Sequence, residues 1–320
     1  MSLMTPSFAS AALSRLDALA VARGLGLEVD APLAPLTTLR VGGPADRLAT
    51  PTGRDELLGA LRIAREAEVP WLVIGNGSDL VVADAGVRGL VIRNRARSLT
   101  IVGDELTADS GVPLALLVKR CTSAGRSGLE FGISIPGTLG GAVWANAGAH
   151  GGEMRSLVVW VEVWDPTSDQ VRTLDNAGCE FAYRESRFKQ GNEVILAARL
   201  RLGEDDPETI AARVAAHHAA RVTTQPLADQ NAGSVFRNPP GDHAGRLIDA
   251  AGLKGLRVGS ASVSTLHANF IVVDRAGRAA DVRALGDQVR AAVRARFGVE
   301  LEYEIEFVGD WPAGPAEGAR

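Results

Sequence analysis

The chain has 320 residues, 46% of them hydrophobic and 22% charged, with a net charge of −4. That is more apolar material than one core accommodates, so two or three domains are expected. The negative balance and the lack of a polybasic run give no global attraction for nucleic acid or an anionic membrane, so neither is expected as a partner. A phosphate-bearing ligand must then be held by local donors. No apolar stretch approaches the roughly 18 residues that span a bilayer, and Arg15, Asp17 and Arg23 interrupt the opening segment, so a cytoplasmic location is expected. Cys121 and Cys179 have neither C-x-x-C spacing nor the density of a disulfide scaffold, and are expected to be reduced and structural. His217 and His218 have no third ligand in range, so no metal site is expected.

Residues 1–35 are expected to form an N-terminal helical extension. Asp55 to Glu68 has a helical apolar period, and the apolar runs Trp71–Ile74 and Leu90–Ile92 read as buried strands. Pro113 as a first-turn proline and Gly125 as a stop frame a helix over Leu114–Ala124. Leu157–Trp164 and Val194–Leu202 look like strands. At Gly203 to Pro207 the composition turns acidic, and Asp206 with Pro207 makes an N-cap and first-turn pair for a helix to about Val222. The domain boundary is placed there, at 205/206. After a loop over Thr223–Gly241 come a short helix ending near Gly252, strands at Val258–Ser264 and Ala268–Asp274, a helix over Asp281–Phe297 stopped by Gly298, and a last strand. A Pro/Gly-rich tail follows Asp310. The whole reads as α+β.

Two glycine-rich segments stand out. Gly75-Asn-Gly-Ser-Asp-Leu80 follows a buried strand, and its glycines allow backbone N–H groups to face one concavity where an anion could sit. An ordinary strand-to-strand turn is the alternative. The segment is neither a Walker loop nor a completed Rossmann turn, since Leu80 replaces the last glycine and a strand is expected next. Ile135 to Gly152 carries six glycines in eighteen residues. Such a segment suits either a flat, extended ligand lying against the main chain or close packing of a helix on a sheet.

Read together, these pieces resemble one family. The set comprises Thr38-Leu-Arg-Val-Gly-Gly-Pro44, the Gly75–Leu80 segment, Ile135-Pro-Gly-Thr-Leu-Gly-Gly-Ala142 with Asn146-Ala-Gly148, and Tyr183-Arg-Glu-Ser-Arg-Phe-Lys189. It continues with Ala232-Gly-Ser-Val-Phe-Arg-Asn-Pro239, Ala244-Gly-Arg-Leu-Ile248 with Ala251-Gly-Leu-Lys-Gly255, and His267-Ala-Asn-Phe-Ile271. From about Leu36 to Gly309 the chain resembles the UDP-N-acetylenolpyruvoylglucosamine reductases of bacterial peptidoglycan synthesis. The resemblance implies an FAD-binding fold of the vanillyl-alcohol-oxidase type over residues 36–205, in subdomains of about 36–95 and 96–205. A substrate-binding domain over 206–309 and a tail over 310–320 complete the layout. It implies FAD as cofactor, NADPH as reductant, and a UDP-sugar that enters after NADP+ has left.

The same resemblance implies cofactor contacts from Arg40, from Gly75, Asn76, Gly77, Ser78, Asp79 and Leu80, and from Ile135, Gly137, Thr138, Gly141, Asn146 and Gly148. Reduction of an enolpyruvyl ether puts negative charge on a carbon already bearing a carboxylate, so the site must stabilise an enolate and then protonate it. By motif match Arg184 and Glu304 stabilise the intermediate and Ser234 supplies the proton. Residue by residue, the alternatives are a surface charge paired with Glu185 for Arg184 and a turn serine for Ser234. For Glu304 the alternative is a solvated strand face shared with Glu302 and Glu306, opposite Tyr303, Ile305 and Phe307. Tyr183, Arg221, Gln225, Arg237, Asn238 and His267 are the candidate contacts to the sugar nucleotide, although a lone histidine beside an apolar strand is more often structural.

Three positions depart from the family pattern. Asp79 stands where Asn is usual, Ser134 where Gly is usual and Glu306 where a basic residue is frequent. The absence of a tyrosine-bearing insertion after Tyr183, with Gln225 in place of Lys, resembles the shorter branch of the family. Two rivals remain open: an FAD-linked sugar or hydroxyacid oxidase on the same fold, and a catalytically silent UDP-sugar-binding protein.

Overall fold

The computed structural model describes residues 6–312. The chain forms two compact units. The first comprises the chain up to Glu28, Leu48–Asn76 and Gly89–Thr224; the second comprises Val29–Arg47, Gly77–Arg88 and the chain from Gln225 onward.

In the first unit, helix α1 (Pro6–Ala22) and helix α2 (Arg54–Glu66) share a core. Asp55 and Glu56 lie in the first turn of α2 and Arg65 in its last, matching the helix dipole. Leu57, Leu61 and Ile63 of α2 are buried with Leu16, Trp164 and Leu196. The N-terminal helix is therefore part of a core, not the extension expected over 1–35. Trp71–Ile74 pairs in parallel with Leu90–Arg93. A five-stranded antiparallel sheet follows in the order Gln170–Asp175, Val158–Asp165, Val194–Arg201, Glu105–Asp109, Leu99–Val102. Helix α3 (Leu114–Ser123) begins after Pro113, and α4 (Leu139–Trp144) lies inside the second glycine-rich segment. Leu114, Leu117 and Val118 of α3 and Leu139 and Val143 of α4 pack with Val161, Val163 and Leu200 of the sheet. Both cysteines are buried here, and burial pushes each thiol up to about 12.

Helix α5 (Arg187–Gln190) and helix α6 (Pro207–Thr224) complete the first unit. Asp206 caps α6 as expected, its Oδ2 accepting the Thr209 N–H at 2.9 Å. Ile210 is buried, and Arg213 donates to Glu130 at 2.8 Å and to Asp205 at 2.8 Å. These contacts hold α6 in the first unit, so the compact units divide after Thr224, not at the expected 205/206. The acidic stretch is a clasp for Arg213 rather than a linker.

The second unit holds a four-stranded sheet in the order Gln230–Asn231, Ile271–Val273, Ala261–Val263, Arg257–Val258, with helices α7 (Ala244–Ala250) and α8 (Ala279–Phe297). The strand expected over Val258–Ser264 is a hairpin instead, because Ser260 turns to Asp281 through its N–H at 2.8 Å and its hydroxyl at 2.7 Å. Val282, Leu285, Val289 and Val293 form the buried stripe of α8, and Gly298, at φ 69°, ends the helix. Leu80–Val82 pairs in parallel with Glu306–Val308, and Leu39, Val41 and Val81 join the core of α8. The expected subdomain 36–95 is thus divided between the two units. Of the expected tail, residues 313–320 lie outside the described residues.

The last strand is also broken. Tyr303 bridges only Phe236, and regular pairing begins at Glu306, because Glu302 and Glu304 bond to Arg237 and Val235 while residues 306–308 bond to the strand Leu80–Val82. Tyr303 stacks on Phe236 at 5.0 Å, and its hydroxyl donates to Asp287 at 2.8 Å across the face of α8. A Cβ on Gly286 would stand 2.5 Å from that hydroxyl and 2.9 Å from the ring. Gly286→Ala, ordinarily stabilising inside a helix by up to about 1 kcal/mol, is therefore expected to destabilise by roughly 1–3 kcal/mol. Urea unfolding of the two proteins decides it, and a raised midpoint would disprove the clash.

Candidate active site

The first unit brings Gly75 and Asn76 against the second glycine-rich segment. Asn76 Nδ2 donates to the carbonyls of Pro136 at 2.8 Å and Gly137 at 3.4 Å. A Cβ on Gly75 would meet Thr138 Oγ1 at 2.5 Å, so only glycine allows this approach. Residues 137–140 are in turn sewn to 110–114: Leu114 N–H donates to Gly137, Leu139 N–H to Val112 and Gly140 N–H to Ser110, at 2.8–3.1 Å. Gly141 differs. A Cβ there would meet nothing nearer than Thr138 Oγ1 at 4.0 Å, so protein packing does not require the glycine, and the exposed main chain stays open to a flat ligand beside Thr138. That open strip on a rigid base fits a dinucleotide.

Asn146 plays a different part from the expected cofactor contact. It is fully buried at φ 42°. Its amide donates to Ala182 at 2.8 Å and Glu153 at 3.1 Å, and its carbonyl accepts from Arg155 at 2.9 Å. Its polar atoms are engaged by the protein, so it acts by tying the glycine segment to the loop that carries Tyr183 and Arg184. That loop is a two-residue turn closed by reciprocal bonds between Ala182 and Glu185. Tyr183 is exposed, Arg184 has φ 56°, and the Arg184 guanidinium donates to the Gly148 carbonyl at 2.9 Å. A bulky residue in the left-handed region is strained, and such strain gathers at functional sites.

A cluster that the sequence did not reveal lies beside these loops. The His150 and His217 rings stack at 4.1 Å, and His150 Nε2 is 2.9 Å from Ser134 Oγ. The departure at Ser134 thus has a local partner. No spacing rule links positions so far apart in the chain, so periodicity could not have found it.

The second unit holds the other candidates. Thr38 donates its hydroxyl to the Ser78 carbonyl at 3.3 Å, Thr38 N–H bonds to Gly77, and Glu306 N–H bonds to Asp79. Leu80 is in register with Glu306, and Arg40 is exposed at φ 56°. Gly233, at φ 77°, turns the chain into Ser234. Beyond it, Glu304 N–H donates to Val235 at 2.8 Å and Arg237 N–H to Glu302 at 2.9 Å, either side of the Phe236–Tyr303 bridge. Asn269 braces this pair, accepting from Phe236 N–H at 3.0 Å and donating to the Phe236 carbonyl at 2.8 Å. Ser234, Arg237 and Glu304 are thereby set on two short extended segments with a rigid aromatic backing. The Ser234 hydroxyl makes no hydrogen bond to another described residue.

Two candidate substrate contacts are instead engaged by the scaffold. Asn238 Oδ1 accepts the first N–H of α7, from Ala244, at 3.0 Å. His267 Nδ1 accepts the Asn269 N–H at 3.2 Å, and its ring lies edge-on to Phe270 at 4.8 Å. Burial holds the His267 pKa below its ordinary value, and burial followed by His217 and Arg221 does the same for His150. The unfolded chain therefore takes up the proton first as the pH drops. The stability contribution is complete above about pH 6.5 and is lost as the pH falls through that value. The melting temperature is expected to decline below it, and His267→Gln to flatten the decline; an unchanged slope in the variant would assign it to other groups.

A glycine loop at the end of a parallel strand pair, sewn to a second glycine segment beside an antiparallel sheet, fits an FAD-binding protein. Residues 45–174 match the FAD binding domain family, and residues 225–308 match the C-terminal domain of UDP-N-acetylenolpyruvoylglucosamine reductase. The chain is 45% identical over 282 residues to the UDP-N-acetylenolpyruvoylglucosamine reductase of Heliobacterium modesticaldum, covering 87% of this chain and 90% of that protein. Identity to the enzyme of Moorella thermoacetica is 45% over 290 residues, covering 90% and 95%. The crystal structure of UDP-N-acetylenolpyruvylglucosamine reductase from Thermus caldophilus superposes with a TM-score of 0.75 at 38% identity, covering 90% of this chain and 99% of that one. The chain belongs to the UDP-N-acetylenolpyruvoylglucosamine reductase family. It is an FAD-dependent oxidoreductase, and none of its described helices is long and apolar enough to cross a membrane.

Proposed function

We propose that the protein reduces UDP-N-acetylenolpyruvoylglucosamine to UDP-N-acetylmuramate with NADPH, in the cytoplasm, as a step of peptidoglycan precursor synthesis. The observation that carries this reading is the join of Val235 to Glu304, which fixes Ser234 beside the carboxylate-bearing segment. FAD, when bound, supplies the hydride that reaches the methylene carbon of the enolpyruvyl group. Arg184 and Glu304 stabilise the negative charge that develops on the adjoining carbon and its carboxylate. Ser234 Oγ gives its proton to that carbon, and no described protein acceptor competes for it. Tyr183, Arg221, Gln225 and Arg237 hold the sugar nucleotide, the arginines matching the diphosphate with paired N–H donors. Asn238 and His267 keep α7 and the Asn269 turn in place. The flavin rests on Ile135, Gly137, Thr138 and Gly141 with the Gly75–Leu80 segment, Arg40 and Gly148.

An anaerobic stopped-flow record of flavin absorbance tests the reading. NADPH should bleach the flavin and UDP-N-acetylenolpyruvoylglucosamine should restore it. Bleaching reversed only by oxygen would make the protein an oxidase, and a chain without flavin signal would leave a binding protein.

A further inference from the structure

Most arginines of the first unit have a carboxylate partner, but Arg93, Arg95 and Arg97 do not. None of the three forms an ion pair with a described residue. The nearby acids are engaged elsewhere: Glu162 accepts from Arg54 at 2.6 Å, and Asp109 accepts the Ser98 N–H at 2.8 Å. Arg95 is partly buried and close enough to both neighbours to be repelled by each, and Arg93 Nε is buried without a hydrogen-bond partner. A guanidinium cannot escape such a position by losing its proton.

The backbone under the three is fixed. Arg93, Arg95 and Arg97 alternate with buried Asn94 and Ala96. Asn94 donates to Ser110 Oγ at 2.8 Å and accepts the Ala96 N–H at 3.0 Å, while Arg95 N–H donates to Pro51 at 2.9 Å. The cations therefore stand at alternate positions of a braced segment that starts with the last residue of the strand, Arg93, with Arg95 near both of the others. Arg93 is in register with Ile74, and Asn94 N–H bonds to the Ile74 carbonyl, so the row starts beside Gly75. It lies at the carboxyl ends of two parallel strands, where α/β arrangements present their ligands.

We propose that Arg93, Arg95 and Arg97 form a phosphate-binding strip for a nucleotide lying on the Gly75–Asn76 loop. The inference rests on the reductase reading for its two phosphate sources, the FAD diphosphate and the 2′-phosphate of NADPH. Either supplies the anion that offsets three adjacent like charges, through charge-assisted N–H donors.

The test uses holoenzyme carrying Arg95→Gln, the more exposed Arg97→Gln, and Arg95→Lys as a charge-retaining control. Flavin release after dilution, followed by fluorescence, is expected to be about 10- to 100-fold faster in Arg95→Gln, and largely rescued in Arg95→Lys. This outcome assigns the strip to FAD. A loss of that size in NADP+ affinity, read from perturbation of flavin absorbance, with NAD+ affinity and flavin release unchanged, assigns it to the 2′-phosphate. Flavin release and both affinities within about 2-fold of wild type in both glutamine variants would overturn the strip. A failure of the reductase reading would look different, as a wild-type chain that carries no flavin. Inorganic pyrophosphate then decides the strip: a rise in wild-type melting temperature that Arg95→Gln abolishes upholds it, and no rise in wild type removes it.

Discussion

Ser234→Ala is expected to leave bleaching of the flavin by NADPH at the wild-type rate and to slow its recovery with the enolpyruvyl sugar nucleotide by about 10²- to 10⁴-fold. The reason is local. Gly233 turns Ser234 out of the braced pair, and the hydroxyl has no acceptor among the described residues, so its removal disturbs no hydrogen bond and little packing. The whole effect should fall on protonation of the substrate carbon. Separate stopped-flow measurement of the two half-reactions checks this. Equal slowing of both would mean that Ser234 supports the flavin site and is not the acid.

Arg184→Lys is expected to lower kcat by about 10²- to 10³-fold with a smaller change in KM. The Arg184 guanidinium is aimed by its bond to Gly148 and by a two-residue turn that holds φ at 56°. Lysine keeps the charge but loses the planar fork that reaches a carbonyl and a substrate oxygen together. Steady-state kinetics with the sugar nucleotide provides the measurement. A rise in KM at unchanged kcat would place Arg184 in ground-state binding.

The parts of the molecule legible in sequence are those set by local chemistry. Pro113 marked the start of α3, Asp206 with Pro207 that of α6, and Gly298 the end of α8. Trp71–Ile74 and Val194–Arg201 were visible as apolar runs. What was hidden depends on partners remote in the chain. Apolar periodicity does not say that α1 enters the core of Trp164, nor that Leu80–Val82 pairs with Glu306–Val308. The boundary at 205/206 was misplaced because an acidic run looks the same whether it is a linker or binds Arg213. At the candidate site, motifs do not show how a residue is engaged: Asn146, Asn238 and His267 match the family pattern, yet their polar contacts are within the scaffold.

The interleaved path of the chain bears on how the protein is made. The second unit needs Val29–Arg47 and Gly77–Arg88 together with the segment from Gln225 onward. During synthesis the strand Leu80–Val82 emerges long before its partner Glu306–Val308, leaving an unpaired strand edge that must wait for its mate. Such non-local closure is slow, and the waiting edge is open to association with other nascent chains. Truncation before Glu306 should therefore yield a holdase client, whereas the full-length polypeptide can bury that edge on completion.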